Sequence, residues 1–367
     1  MSTSDYKTDA LTAKEKLAEV SPTMCLAKWN QTSLHLPTGL TNSCYHPPLH
    51  KIDADAVKLN PAALHNTQDK LNQRQQMLEG EQPEGCSYCW NMEKTGEMSD
   101  RHYRSGEPWA MQDFEDIRKN PIDEHWTPRY VEVNFNNACN LKCSYCSPQF
   151  STTWGKEIDR YGQYPTSPPH NAPEHFQGRR RPIPNREENP YVTAFWRWWP
   201  TLYKNLKHFR MTGGEPMMDK NTYKVFQYII DHPKDDLHLN ITSNMCPADK
   251  KLKEKYFNMT KQICMEKKVE HLMQFVSVDA WGKRAEYIRN GLDFNYMMDN
   301  VEEFLDRIPV RNSITFICTY NNLSITSMDK LLEKILELRT KYSKTYQRVW
   351  FDVPLLRQPA WQQITLL

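Results

Sequence analysis

Three cysteines, Cys139, Cys143 and Cys146, fall within eight residues in the segment CNLKCSYC. Thiolates at this spacing on one short loop can bind three irons of a cubane [4Fe–4S] cluster, which leaves the fourth iron without a protein ligand. Such an iron is free to bind a substrate. The spacing leaves two alternatives open, a zinc site completed by a remote residue and a four-cysteine electron-transfer cluster.

A second group of cysteines, Cys25, Cys44, Cys86 and Cys89, lies in the first quarter of the chain. The segment around them has few apolar residues, so a metal bound by the four thiolates would supply the stability that a small core lacks. The other three of the ten cysteines have no partner spacing and are predicted to be small buried side chains. They are Cys246, Cys264 and Cys318.

The second predicted strand closes in Thr212-Gly213-Gly214-Glu215-Pro216. Glycine allows the backbone to approach a ligand closely, and the carboxylate of Glu215 can accept hydrogen bonds from an ammonium group. On its own, a Gly-Gly-Glu-Pro segment is more often an ordinary turn. Its position after the cysteine loop favours a binding role.

Short polar side chains end two further predicted strands. The third ends in Thr242-Ser243-Asn244 and the fourth in Ser277-Val278-Asp279. The carboxyl-terminal rim of a parallel barrel is where such folds bind ligands, although these residues are also common in caps and turns. Arg289, in AEYIRNG, is a candidate for bidentate contact with a carboxylate, with an exposed helical arginine as the alternative.

The elements that must position these residues alternate between strand and helix from about residue 128 onward. Candidate strands cover 130–135, 207–212, 237–242, 274–279, 313–320 and 349–353, and candidate helices cover 221–231, 248–268, 296–307 and 328–341. This order predicts an α/β fold with a partial (β/α)6 TIM-like barrel, open on one side. Upstream, leucines at 64, 71 and 78 predict a helix that stops at Gly80.

Composition excludes some classes of protein. The 367 residues contain 47 Lys or Arg and 45 Asp or Glu, a net charge of +2 that indicates no general attraction to nucleic acid or an anionic membrane. No apolar run approaches the roughly 18 residues needed to span a bilayer. The N-terminus lacks the basic start and apolar run of a secretory signal, so the sequence predicts a cytoplasmic protein in which disulfides are disfavoured.

The cysteine spacing, with Tyr145 directly before the last cysteine, resembles the signature of the radical S-adenosylmethionine (SAM) superfamily. The N-terminal segment is similar to the twitch or SPASM-like auxiliary-cluster modules of that superfamily, through Cys25, Leu36-Pro37-Thr38-Gly39, Cys44 and LEGEQPEGCSYC. Together the resemblance covers about residues 20 to 355. It departs from the family in a proline-rich insertion, in an auxiliary module that precedes the barrel, and in a chain end only 14 residues beyond Val353, which leaves open a missing C-terminal portion.

The resemblance implies a set of cofactors and site residues. Cys139, Cys143 and Cys146 would bind the cluster with the open iron, and the four N-terminal cysteines would bind an auxiliary [4Fe–4S] cluster, with structural zinc as the alternative. Glu215 would contact the amino group of SAM. The remaining residues assigned to the cofactor site are Tyr145, Gly213, Gly214, Ser243, Asn244, Ser277, Asp279 and Arg289.

The implied activity is reductive cleavage of SAM to methionine and a 5′-deoxyadenosyl radical, which abstracts hydrogen from a substrate. The expected partners are SAM, a reductant such as flavodoxin or ferredoxin, and a peptide or protein substrate. A nucleotide or sugar is the alternative substrate. A zinc-stabilised RNA-binding protein is the alternative from another class, because residues 176–210 combine basic side chains with Trp196, Trp198 and Trp199. A helix that packs its tryptophans internally is the simpler interpretation of that segment.

These patterns divide the chain into a polar segment over 1–20, an auxiliary iron–sulfur module over 21–105 and a linker over 106–127. The partial barrel follows over 128–355, and a tail covers 356–367. Residues 164–190 hold seven of the 24 prolines and the run Arg179-Arg180-Arg181, and are predicted to form a long irregular loop.

Overall fold

The computed structural model describes residues 3–164 and 181–367. Most of the predicted proline-rich insertion, including Arg179 and Arg180, lies outside the described residues. The chain divides into two compact units, Met1–Val133 with Glu187–Phe209, and Asn134–Arg186 with Arg210–Leu367.

The helices are α1 (Thr3–Ala18), α2 (Ala27–Asn30), α3 (Ala54–Leu59), α4 (Gln68–Leu78), α5 (Ser87–Lys94), α6 (Asp100–Gly106), α7 (Pro108–Met111), α8 (Phe114–Lys119), α9 (Thr152–Tyr161), α10 (Pro190–Asn205), α11 (Lys220–Asp231), α12 (Lys250–Met265), α13 (Gly282–Ile288), α14 (Phe294–Arg307) and α15 (Met328–Tyr342). The strands are β1 (Gln31–His35), β2 (Leu40–Asn42), β3 (His50–Lys51), β4 (Tyr130–Asn134), β5 (Lys142–Cys143), β6 (His208–Thr212), β7 (Lys234–Ser243), β8 (Val269–Ser277), β9 (Arg289–Asn290), β10 (Asn312–Ile317) and β11 (Val349–Asp352).

The core of the first unit is built from aromatic and aliphatic side chains of several short helices. Trp29 of α2, Trp90 of α5 and Trp109 of α7 are all buried in it. Cys25, Cys86 and Cys89 belong to the same buried cluster. Three of the four N-terminal cysteines are therefore packed inside this unit. The unit also contains an antiparallel sheet of β1, β2 and β3.

Helix α10 also belongs to the first unit, although the sequence placed residues 187–209 within the barrel. The helix packs against α3 and the 3₁₀ turn Pro61–Leu64. Trp198 and Trp199 are buried in this packing, as the simpler interpretation predicted. Neither ring is exposed for stacking on nucleic acid bases, which removes two of the three tryptophans on which the RNA-binding alternative depended.

Four strands of the second unit form a parallel sheet in the order β7, β8, β10, β11. Thr242 lies opposite Phe275, Phe275 opposite Thr315, and Thr315 opposite Trp350. The mixed α/β fold and its mostly parallel sheet therefore agree with the prediction. In β7 the side chains alternate, with Leu237, Leu239, Ile241 and Ser243 buried and the intervening residues partly exposed.

Three helices of the second unit begin at aspartates. Asp219, Asp249 and Asp293 are the N-caps of α11, α12 and α14, and each side chain accepts a hydrogen bond from a backbone N–H in the first turn. A cap of this kind satisfies a backbone donor that has no partner inside the helix. The caps fix where each strand-to-helix loop ends.

Several element bounds differ from the predictions. The predicted leucine helix is a 3₁₀ turn at Pro61–Leu64 followed by α4, because Thr67 caps α4 by accepting from Lys70 N. β8 begins five residues earlier than predicted, at Val269, and ends at Ser277 rather than Asp279. Beyond β11, the described residues form only the short 3₁₀ turns Ala360–Gln362 and Ile364–Leu366. None of the helices within the described ranges is long and apolar enough to cross a membrane.

Candidate functional site

The loop that carries Cys139, Cys143 and Cys146 lies between β4 and α9 and is held at several points. Its short strand β5 pairs with β9, so that Cys143 lies opposite Arg289. Ser151, the N-cap of α9, donates to Leu141 O (2.6 Å), and Trp154 Nε1 donates to Cys143 O (2.8 Å). These bonds tether the loop to the start of α9, and its three cysteines face one open cleft.

The three thiols are desolvated, and nitrogen donors lie near the sulfur atoms of Cys139 and Cys143. Burial raises the pKa of Cys139 to about 12 and raises the pKa values of Cys143 and Cys146. Leu141 N donates to Cys139 Sγ (3.4 Å), and Arg289 Nη1 lies 3.7 Å from Cys143 Sγ. Bound iron displaces the thiol protons, and donors near sulfur stabilise the thiolate. This donor set fits a cluster with three protein ligands.

The Gly213-Gly214 turn packs directly on the cysteine loop. Gly213 has φ +74° and Gly214 has φ +43°. A Cβ at Gly213 would lie 2.0 Å from Asn134 Cγ, and one at Gly214 would lie 2.5 Å from Ala138 O. Both positions therefore require glycine, for space as well as for backbone conformation. Glu215 N continues the contact by donating to Ala138 O (2.6 Å).

The Glu215 carboxylate is buried at the end of this turn. Its Oε1 accepts from Ser243 Oγ (2.7 Å) and Met217 N (3.0 Å), and its Oε2 accepts from Asn244 N (2.8 Å). Burial raises the pKa of Glu215. Two carboxylate oxygens offer about four acceptor positions, so three contacts leave capacity for one further donor from the cleft.

Ser243 and Asn244 therefore act on Glu215 in this structure, whereas the sequence assigned both to direct contact with SAM. The Asn244 side chain also reaches the cysteine loop, where its Nδ2 donates to Asn140 Oδ1 (3.0 Å). Ser277 does line the cleft, as do Ser243 and Asn244.

Arg289 is buried and paired rather than directed at an external carboxylate. Its Nε lies 2.8 Å from Asp279 Oδ2, and its Nη2 donates to Asp279 Oδ1 (3.0 Å). Nη2 also donates to Tyr145 Oη (2.6 Å), and Tyr145 Oη donates to Asp279 Oδ2 (2.8 Å). The alternative interpretation, an exposed helical arginine, is therefore wrong. Tyr145, Asp279 and Arg289 form one hydrogen-bonded network, in which the fully buried Asp279 requires a cation. Tyr145 and Arg289 also line the cleft.

The cleft contains residues that the sequence motifs did not indicate. Arg210 lines it, donates to Thr242 Oγ1 from Nε (3.3 Å) and Nη2 (3.1 Å), and lies 4.3 Å from the centre of the Phe275 ring. Thr319 lines it as well. The alternation of side chains along β6 could have indicated Arg210 from the sequence. Arg210 shares a face with Thr212, while Phe209 and Met211 are buried in the core. The cleft has a volume of about 350 Å³, within the range of small-molecule sites.

The second group of cysteines forms a separate site within the first unit. Cys25, Cys44, Cys86 and Cys89 line one cavity, together with Lys28 and Arg101 among others. Across the described residues, no set of three or more His, Cys, Asp and Glu side chains is grouped to hold a single metal ion.

All four sulfur atoms in this cavity have a nitrogen donor. Burial raises the pKa of Cys25, and raises those of Cys44 and Cys89 to about 12. Backbone N–H groups of Lys28, His46 and Arg101 donate hydrogen bonds to the sulfurs of Cys25, Cys44 and Cys89, respectively, and these bonds lower the pKa values. Lys28 Nζ donates to Cys86 Sγ (3.3 Å). Four thiols with such donors form a ligand set that fits an iron–sulfur cluster.

No family model and no curated protein matches the chain. Among solved structures, the chain is similar to anSMEcpe with bound AdoMet and Cp18Cys peptide, with a TM-score of 0.36, 12% identity, and coverage of 61% of this chain and 50% of that one. It is also similar to Streptococcus suis SuiB bound to the precursor peptide SuiA, with a TM-score of 0.41, 13% identity, and coverage of 86% and 60%. For SuiB alone the TM-score is 0.40 and the identity is 14%, and the match covers 94% of this chain and 64% of that one.

The chain thus spans between half and 64% of the length of these solved structures. With TM-scores near 0.4 and identities of 12–14%, these likenesses do not by themselves assign a fold or an activity to the chain.

Proposed function

We propose that the chain is a radical SAM enzyme. The observation that carries this proposal is the single cleft lined by Cys139, Cys143, Cys146 and the Gly213-Gly214-Glu215 turn. The three thiols would hold a [4Fe–4S] cluster whose fourth iron has no protein ligand. When bound, the cluster supplies the electron that cleaves SAM to methionine and a 5′-deoxyadenosyl radical.

The protein's own residues would bind and orient SAM. The backbone of Gly213 and Gly214 lies close to the cysteine loop and leaves room for a ligand at the cleft wall. Glu215 is fixed by three hydrogen bonds, and its remaining acceptor position would receive the amino group of SAM. Ser277 lines the cleft and would contact the polar part of the cofactor.

Tyr145, Asp279 and Arg289 would act indirectly in this proposal. Their buried network fixes the strand pair formed by β5 and β9, and therefore the position of Cys143. Fixed ligands and dipoles need no rearrangement during the reaction.

The N-terminal cavity would hold an auxiliary [4Fe–4S] cluster with Cys25, Cys44, Cys86 and Cys89 as ligands. Four thiolates leave no iron open to a substrate, which favours electron transfer over substrate binding at this site. A cytoplasmic reductant such as flavodoxin or ferredoxin would supply electrons. The proposed substrate is a peptide or protein, with a nucleotide or sugar as the alternative within the same chemistry.

Anaerobic purification and reconstitution test the proposal. We expect a brown protein with about eight iron per chain and formation of 5′-deoxyadenosine from SAM when dithionite is added. A colourless protein that contains zinc and no iron would exclude the enzyme and favour a zinc-stabilised binding protein. Candidate peptides encoded beside the gene would then be tested for a mass change that depends on SAM.

A further inference from the structure

Three basic side chains are buried in the first unit and form no salt bridge with any described residue. Lys28 of α2 is 2% exposed, and Lys70 and Arg74 of α4 are 0% exposed. In the part of the chain that the structure describes, none of the salt bridges includes any of these three residues. Burial of a charged group without a counterion costs several kcal/mol, so such clusters are rare unless an anion accompanies them.

The contacts of these cations are to neutral groups. Lys70 Nζ donates to Thr32 Oγ1 (2.8 Å) and Thr41 Oγ1 (3.0 Å). Arg74 donates from Nη1 to Asn66 Oδ1 (2.9 Å) and from Nε to Lys28 O (3.3 Å). These bonds orient the cations but do not neutralise them.

The cations also repel one another. The pKa of Lys70 is lowered well below its ordinary value by burial, by Arg74 and by Lys28, while Cys44 acts in the opposite direction. The same arrangement that is unfavourable without an anion becomes favourable when an anion is placed beside it.

The cysteine cavity supplies the location for that anion. Lys28 Nζ lies 3.3 Å from Cys86 Sγ and 2.6 Å from Gln73 Oε1, and Lys28 lines the cavity with all four cysteines. Four thiolates outweigh the positive charge of a [4Fe–4S] core, so the complete cluster is an anion.

We propose that Lys28 is a positioning residue that sets the reduction potential of the auxiliary cluster. This inference rests on the auxiliary cluster of the proposed function. The reduced cluster carries one more negative charge than the oxidised cluster, so nearby positive charge stabilises the reduced form. Hydrogen bonds to sulfur and net charge are established determinants of such potentials. A raised potential suits a cluster that accepts an electron.

The full chain with Cys139→Ala, Cys143→Ala and Cys146→Ala isolates the auxiliary site, and its iron content is measured first. About four iron per chain establishes the auxiliary cluster. In this background, Lys28→Met removes the charge and the donor, Lys28→Gln keeps an N–H donor without charge, and Lys28→Arg keeps both. Lys58→Met is the matched control, because Lys58 is an exposed residue of the same unit, paired with Asp55.

The readout is the ratio of reduced to oxidised cluster, followed by EPR at the potential where the parent protein is half reduced. We expect Lys28→Met to lower this ratio about tenfold, which corresponds to about 59 mV for a one-electron couple. The ratio for Lys28→Gln should fall by a similar factor. The ratio for Lys28→Arg should stay within about threefold of the parent ratio, and the ratio for Lys58→Met should not change. A Lys28→Met ratio within about twofold of the parent would overturn the inference while leaving the auxiliary cluster in place.

Iron content resolves the remaining outcomes. Loss of iron from Lys28→Met and Lys28→Gln, with iron retained in Lys28→Arg, supports the requirement for positive charge. Loss of iron from all three variants overturns the inference, because cluster binding would then depend on the shape of the Lys28 side chain and not on its charge. Zinc in place of iron in the parent overturns both the auxiliary cluster and this inference.

Discussion

Arg289 and Asp279 form a buried ion pair behind the cysteine loop, with Arg289 Nε 2.8 Å from Asp279 Oδ2. Asp279 follows β8, and Arg289 begins the strand that pairs with Cys143. The pair therefore connects the end of a sheet strand to the loop that carries the proposed cluster ligands. Tyr145, within that loop, bonds to both members.

Removal of one member of this pair should destabilise the protein more than removal of both. Arg289→Met or Asp279→Leu alone leaves an unpaired buried charge, which costs about 3–5 kcal/mol. The double variant removes both charges and should recover part of this loss. Urea unfolding followed by circular dichroism measures the effect, with Lys58→Met, which removes an exposed ion pair with Asp55, as the control. Additive losses in the double variant would show that the two residues act independently.

Cys143→Ala should abolish SAM cleavage. The loss of one of three thiolates removes the cluster with the open iron, whereas a lost side-chain contact would only weaken binding. The measurement is 5′-deoxyadenosine formed under dithionite by the reconstituted variant. Cys264→Ala, a buried cysteine of α12 distant in sequence from the loop, should retain activity. Full product formation by Cys143→Ala would refute the assignment of this loop.

Cys86→Ala combined with Cys89→Ala should lower iron by about one cluster, or four atoms per chain. These cysteines belong to the first unit, so cleavage of SAM without substrate should remain measurable. Turnover of a substrate should be impaired. Iron analysis and 5′-deoxyadenosine assays on the same preparation provide both values. Unchanged iron would indicate that the N-terminal cavity holds zinc or no metal.

Glu215→Ala should weaken SAM binding while the absorption spectrum of the reconstituted cluster changes little. Loss of a charged hydrogen-bond partner in a buried site costs about 1.5–3 kcal/mol, which is roughly a tenfold to hundredfold loss of affinity. Glu215→Gln preserves the side-chain size and tests whether the charge is required. SAM is titrated into protein of confirmed iron content, with Glu254→Ala as a surface control. Wild-type affinity in both Glu215 variants would identify Glu215 as a turn residue only.

The grouping of Cys139, Cys143 and Cys146 at one cleft and the mixed order of strands and helices could be predicted from the sequence, because both depend on local spacing. Cys139, Cys143 and Cys146 are close in the chain, so a short loop must bring them near one another. Gly213 and Gly214 are glycines because of backbone conformation and close approach, both of which a sequence motif records. The alternation of apolar residues in β7 likewise marks one face of a strand.

The partners of the buried polar groups were decided by the tertiary structure alone. Arg289 pairs with Asp279 ten residues away, Ser243 donates to Glu215, and Lys28 reaches Cys86 across 58 residues of sequence. The sequence pattern does not predict these pairs. A buried charge or hydroxyl pairs with whichever group the packing of distant elements places within hydrogen-bond distance. The free energy of leaving such a group unpaired selects that partner, and it acts only once the surrounding elements exclude water.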